Sequence, residues 1–103
     1  MGNYLFAYRG GSMAETEAER QAVMQAWGTW FGQLGQAIVD PGNPFAGSTS
    51  VDAGGNGGAP ASQLTGYSVI KADSLAAASE LAGGCPVLSA GGSVDVYETL
   101  EVM

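Results

Sequence analysis

The chain contains no histidine. That removes every site built on imidazole, including a Ser–His–Asp set, a Cys–His pair and a histidine-bearing zinc site. It has one cysteine, Cys85, so no intramolecular disulfide can form, which fits a reducing compartment. With no imidazole, a single thiol and scattered acids, neither a metal site nor a cofactor is expected. Basic residues are almost as scarce: Arg9, Arg20 and Lys71 stand apart along the chain against ten acids, giving a net charge of −7. Nucleic-acid binding needs a basic stripe to neutralise phosphates, and anionic membranes need the same, so neither partner is expected. There is no apolar run of about 18 residues and no signal-peptide pattern ahead of the first alternating segment. A cytoplasmic location is the resulting expectation.

Charge of either sign is sparse, at 13% of residues, where soluble domains average about a quarter. Either much of the surface is apolar, glycine-rich or buried against a partner, or it is covered by Ser, Thr, Gln, Asn and Gly; exposed apolar surface usually means association, which favours the first. At 103 residues the chain makes one domain, and a domain of that size buries only about two thirds of its unfolded surface. Both points lead to the expectation of a homodimer.

What is present is a clear alternation of elements. Asn3 to Arg9 puts Tyr4, Phe6 and Tyr8 on one side and Leu5, Ala7 and Arg9 on the other, which predicts a strand with apolar groups on both faces, ended by Gly10-Gly11. Thr16 to Leu34 predicts the long helix. Capping boxes can be drawn from Thr16 to Glu19 and from Ser12 to Glu15, and Val23, Trp27, Trp30 or Phe31, and Leu34 fall at helical spacing before the stop at Gly35. Gly28 and Gly32, four apart, each cost about 1 kcal/mol in a helix interior, which predicts close approach of a sheet or partner backbone at that face.

Ala37 to Asp40 predicts a short second strand, and Pro41-Gly42-Asn43-Pro44-Phe45 interrupts any regular ladder. Ser48 to Asp52 predicts a further extended piece. Residues 53–63, AGGNGGAPASQ, read as a mobile glycine-rich hairpin loop; they lack the GK[ST] ending of a phosphate cradle. Leu64 to Lys71 is the third strand. Asp73 or Ser74 caps an alanine-rich helix with Leu75, Ala78 and Leu81 or Ala82 inward, ended by Gly83-Gly84. After a turn at Gly91-Gly92, Val94 to Val102 alternates again, with Val94, Val96, Leu100 and Val102 on one face and Tyr97 on the other. The order β-α-β-β-α-β predicts an α+β fold of ferredoxin-like, split β-α-β topology, with both helices on one side of an antiparallel sheet. The other sheet face is partly apolar and has to meet something, most simply a second sheet.

The whole chain resembles the YCII-related (DGPF-type) domain family. The resemblance rests on YLFAYRGG from Tyr4, AVMQAWGTWFGQLG from Ala22, IVDPGNPF from Ile38, LTGYSVIKADSLAAASELA from Leu64, GCPVL from Gly84 and VDVYE from Val94. It implies a dimeric α+β barrel with a cleft between sheet and helix. Members of the YCII type are often credited with a His–Asp pair. Asp40 resembles the acidic half by position, and without a histidine its partner does not exist here. The DGPF motif itself is absent, with Asn43-Pro44-Phe45 only a loose echo. The family is mostly without assigned activity, so the resemblance speaks to fold more than to chemistry.

Candidate ligand-binding residues are Arg9, Trp30, Asp40, Phe45 and Tyr67. Asp40 ends the second strand and is the one candidate for catalysis, as a general base; its structural alternative is to accept backbone N–H groups in the following turn. Arg9 ends the first strand and would hold a carboxylate or phenolate; its alternative is an ion pair with one of many acids. Trp30, Phe45 and Tyr67, with Tyr8, Trp27 and Phe31, supply aromatic walls for a pocket, although aromatics at helical spacing are more often core. Cys85 has no cation or imidazole to activate it and Lys71 reads as exposed. These features suggest a non-catalytic binding or sensing module for a small apolar or aromatic ligand. The alternatives are a cofactor-independent isomerase, lyase or oxygenase of small cyclic organics, and a structural or interaction protein.

Overall fold

A strand whose every second side chain is aromatic has one face that must leave water. That strand, β1 (Gly2–Arg9), lies inside the sheet. A computed structural model describes residues 2–10, 15–61 and 63–100 of the chain. In it Tyr4, Phe6 and Tyr8 are all buried, each contributing about 2 kcal/mol by the usual area rule. β2 (Ile38–Asp40), β5 (Leu64–Ala72) and β6 (Ser93–Glu98) complete a four-stranded sheet in the order β2-β5-β1-β6, with every neighbouring pair antiparallel. A separate two-stranded hairpin, β3 (Ser50–Val51) and β4 (Gly57–Gly58), forms within the glycine-rich region. Three helices, α1 (Glu17–Leu34), α2 (Leu75–Ala82) and α3 (Pro86–Ser89), accompany the sheet. The molecule is α+β with an antiparallel sheet, compatible with the ferredoxin-like class.

α1 begins where Thr16 accepts a hydrogen bond from the Glu19 N–H at 3.1 Å. The Glu19 carboxylate reaches back to the N–H of Glu15, one residue before the cap, at 3.0 Å. The alternative cap at Ser12 lies outside the described residues, as do Gly11, Ser62 and Val102. Gly35 ends the helix at φ 53, its N–H returning to the Phe31 carbonyl. The expected apolar stripe is used from Trp27 onward, and Val23 is left outside it. Trp30 and Leu34 are buried, and Trp27 and Phe31 are partly so, while residues 17–26 are all exposed and Val23 is 44% accessible. The period-3.6 pattern marks which side of a helix is apolar, and the length of the helix beyond its support decides how much of that side is covered.

At Gly28 and Gly32 the expectation of a close sheet backbone is corrected. A methyl group built at either would meet nothing within 4 Å, so no sheet backbone approaches them. Gly28→Ala and Gly32→Ala are therefore expected to raise the stability of the isolated chain by about 1 kcal/mol each, measured by urea melts. A loss instead of a gain would place a partner backbone against that face.

α2 is capped by Ser74, whose hydroxyl accepts from the Ala77 N–H at 3.0 Å, and not by Asp73. Ala78 and Ala82 are buried, whereas Leu75 is 47% accessible, so the helix lies on the sheet through its alanines. α3 has no periodic signal in the sequence because four residues are too few to carry one; its local mark is Pro86 at the first helical position. β6 is shorter than Val94–Val102. Thr99 ties back to the Asn3 carbonyl at 2.7 Å through its hydroxyl, and Leu100, 81% accessible, is not an inward position.

Buried residues of all three helices join the cluster of Tyr4, Phe6, Tyr8 and Ile70, so the helices share one side of the sheet. The other side follows from strand alternation and register. Leu5 pairs with Val69 and Tyr97, Ala7 with Tyr67 and Asp95, and Arg9 with Ser93. No described helix covers this face.

Candidate functional site

Strand β2 cannot run on as a regular ladder, because Pro41 and Pro44 have no N–H to offer and a bulge already shifts its register between Ile38 and Asp40. The chain nevertheless follows β5 as an irregular edge. Asn43 accepts the Tyr67 N–H at 3.4 Å, Pro44 bridges to Gly66, and the Phe45 N–H donates to Thr65 at 2.9 Å. Prolines are tolerated on such an edge. At its start, Asp40 Oδ1 accepts the Gly42 N–H at 2.8 Å, closing an Asx turn.

This edge is pinned from inside. Ser68, on the helix side of β5, is completely buried. It accepts the Tyr8 hydroxyl at 2.7 Å and donates its own to the Pro41 carbonyl at 2.6 Å. No buried side-chain nitrogen or oxygen among the described residues lacks a partner. Burial pushes the Tyr8 phenol up to about 12, the Ser68 bond acting weakly against it.

On the opposite side of β5 the same geometry gathers three residues. The Phe45 and Tyr67 rings stack with centroids 5.8 Å apart and planes 20° from parallel. The Tyr67 hydroxyl donates to Asp40 Oδ2 at 3.4 Å. The Phe45 side of the pair is exposed to solvent, at 43% accessible. The chemical content is an aromatic shelf with an exposed carboxylate at its margin. Bulges that re-aim side chains in this way are common beside functional sites.

The five sequence-selected residues thus divide. Asp40, Phe45 and Tyr67 come together. Arg9 shares their sheet face but is held by Asp95 through Nε at 3.0 Å and Nη2 at 3.1 Å. Trp30 is a correction: it lies on the other side of the sheet, stacked on Phe6 and donating its indole N–H to the Leu81 carbonyl at 3.2 Å. It is core and does not line the shelf. Trp27 likewise meets Tyr8 edge-on at 5.1 Å within the core.

Ser68, Gly42 and Asp95 do not stand out in the sequence as site residues. Ser68 has a signal, a polar residue at an inward position of LTGYSVIK. Asp95 has none, because its pairing with Arg9 depends on strand register. Cys85 is buried, and burial pushes its thiol up to about 11, away from nucleophilic use. No group of three or more metal-ligating side chains occurs among the described residues, and no described helix is long and apolar enough to cross a membrane.

Two shallow recesses lie elsewhere. One of about 410 Å³ is lined by Arg9, Gly10, Gln63 and Ser93 among others; one of about 470 Å³ runs between α2 and β6, beside Leu75, Val94 and Tyr97. Neither includes the shelf. The family model described as the YCII-related domain matches residues 4–103. No curated protein matches the chain.

Proposed function

The chain belongs to the YCII-related domain family, and from that premise we propose that it is a non-catalytic binding or sensing module for a small apolar or aromatic molecule, seated on the open face of the sheet. A second copy covers the centre of that face, around the half-buried Leu5 and Val69, to give a ferredoxin-like dimer of the α+β barrel type. The observation that carries the reading is the Phe45–Tyr67 shelf, built at the sheet margin by a pinned edge and left open. The Arg9–Asp95 pair on the same face is self-neutral, so covering that pair adds no net charge to the contact.

A cofactor-independent enzyme is the second reading, and Asp40 is the observation in its favour. Its carboxylate is exposed beside a phenol, as a general base would be. Against it, one carboxylate oxygen already holds the Asp40–Gly42 turn.

The test combines mass measurement in solution with a thermal-shift screen of neutral phenols and lactones. A dimer that Leu5→Lys converts to monomer is expected. So is a rise in melting temperature that Phe45→Ala abolishes, since a ligand of the native state stabilises it by mass action. Turnover of a bound compound would shift the assignment to the enzyme, and turnover lost in Asp40→Asn would place the base. A protein that stays monomeric and responds to no compound would defeat the proposal.

A further inference from the structure

The shelf carries a sign as well as a shape. Asp40 is an exposed carboxylate with room for more partners than it has. Ionised carboxylates accept at about four lone-pair positions, and two contacts are made here, from the Gly42 N–H and the Tyr67 hydroxyl. Neither donor is a cation. Among the described residues the one ion pair is Arg9–Asp95, so Asp40 has no basic side chain as its salt-bridge partner. The chain as a whole carries −7, a field that draws cations to its surface and repels anions. Beside the carboxylate lie two stacked aromatic rings, whose faces are the negative part of their charge distribution.

Resting on the binding reading above, we infer that the ligand taken by this shelf is an aromatic or alicyclic ammonium compound. Its ring lies on the open face of Phe45, and its protonated nitrogen donates to Asp40. The geometry suits that division of labour. The Phe45–Tyr67 stack presents a flat apolar surface, and the Tyr67 hydroxyl holds one carboxylate oxygen toward the ring edge. A protonated amine adds a charge-assisted hydrogen bond there and a cation–π attraction beside it. A ligand carboxylate placed on the same shelf would meet Asp40 with no cation between them.

The test is an isosteric series, benzylammonium, benzyl alcohol and benzoate, titrated into the intact protein at low ionic strength and followed by calorimetry or ring-proton NMR shifts. Benzylammonium is expected to bind most tightly and benzoate least. Asp40→Asn, which keeps an oxygen for the Gly42 N–H, is expected to weaken benzylammonium about fivefold while leaving benzyl alcohol within about twofold. Phe45→Leu, which keeps apolar bulk and removes the ring face, is expected to weaken both amine and alcohol. Added salt should narrow the preference for the amine. Equal binding of amine and alcohol, unaffected by Asp40→Asn, would overturn the cation inference and leave the binding module standing. Preferential binding of benzoate would overturn it also, and would move the ligand contact to Arg9. Absence of binding by all three, with neutral phenols and lactones also inert, would remove both proposals together.

Discussion

Gly42→Ala is expected to destabilise the protein by about 3 kcal/mol or more, well above the usual range for a surface turn. Gly42 has φ 74, a left-handed conformation that an L side chain adopts only with strain. Steric overlap costs more than that strain. A Cβ at this position would overlap the Tyr67 carbonyl outright and come within 3.2 Å of the Ser68 Cα. Both are backbone atoms of β5, which cannot move aside without breaking its pairing with β1. The turn must therefore lift, taking with it the Asp40 carboxylate and the neighbouring Phe45 ring. Chemical denaturation measures the stability loss, and loss of ligand response in the folded fraction measures the displaced shelf. Gly35→Ala is the control. It too has positive φ, at 53, here with ψ −119, which L side chains adopt only with strain, but a Cβ there meets nothing within 4 Å, so it should cost about 1–3 kcal/mol, strain without overlap. Equal effects at the two positions would mean that backbone strain alone accounts for Gly42.

Ser68→Ala is the second large effect, expected at about 2–3 kcal/mol for the loss of one oxygen atom. Ser68 is wholly buried, and its hydroxyl is the middle of the chain from Tyr8 to Pro41. Removing it leaves a buried phenol without its acceptor and the Pro41 carbonyl without its donor, so two desolvated groups lose partners at once. Tyr8→Phe removes only the outer donor and should cost about 1 kcal/mol. The double variant should cost less than the sum of the two, because Tyr8 has no hydroxyl left to strand. Additivity would show that the two side chains do not act as one network.

The same pair predicts an alkaline limit. The Tyr8 phenol titrates near 10.0 in the unfolded chain and at about 12 when folded, because burial disfavours the phenolate. The unfolded state thus releases its proton first as pH rises. The contribution of neutral Tyr8 is complete below pH 10 and is lost progressively between about pH 10 and 12. Cys85, raised from 9.0 to about 11 by burial, adds a decline that begins about one unit earlier. Tyr8→Phe should remove its own share of the decline in urea melts recorded across this range, leaving the earlier one of Cys85 and that of Tyr4, whose phenol burial also raises.

In the glycine-rich region the low-complexity sequence hid a specific turn. Asp52 accepts the N–H groups of Gly54 and Asn56, each at 2.9 Å, and these hydrogen bonds, Asn56 first, hold its carboxyl below the usual range. The composition spoke against a core, correctly, since β3 and β4 are exposed throughout. It could not disclose a hairpin whose turn is gathered on one carboxylate.

The sequence by itself determined the elements and their burial sides wherever one residue pattern had one physical solution. Aromatics at period two in Tyr4, Phe6 and Tyr8 require a strand with a buried face. Thr16 with Glu19, Gly35 and the Asp73-Ser74 pair mark helix ends, because caps are local chemistry. The absence of histidine is final for any imidazole mechanism in this chain. Tertiary structure decided everything that depends on which residues meet across the sheet. Trp30 and Phe45 are both aromatic and both fit a pocket by composition. The sheet separates them, since α1 lies on one side and the edge after β2 delivers Phe45 to the other. Arg9 had many acids to choose from, and strand register chose Asp95. Asp40 could have been a base, a turn or a ligand, and the edge that Ser68 pins at Pro41 set it beside Tyr67. Local signals act over a few residues along the chain. A site is made by residues far apart in sequence, and its geometry belongs to the packing that joins them.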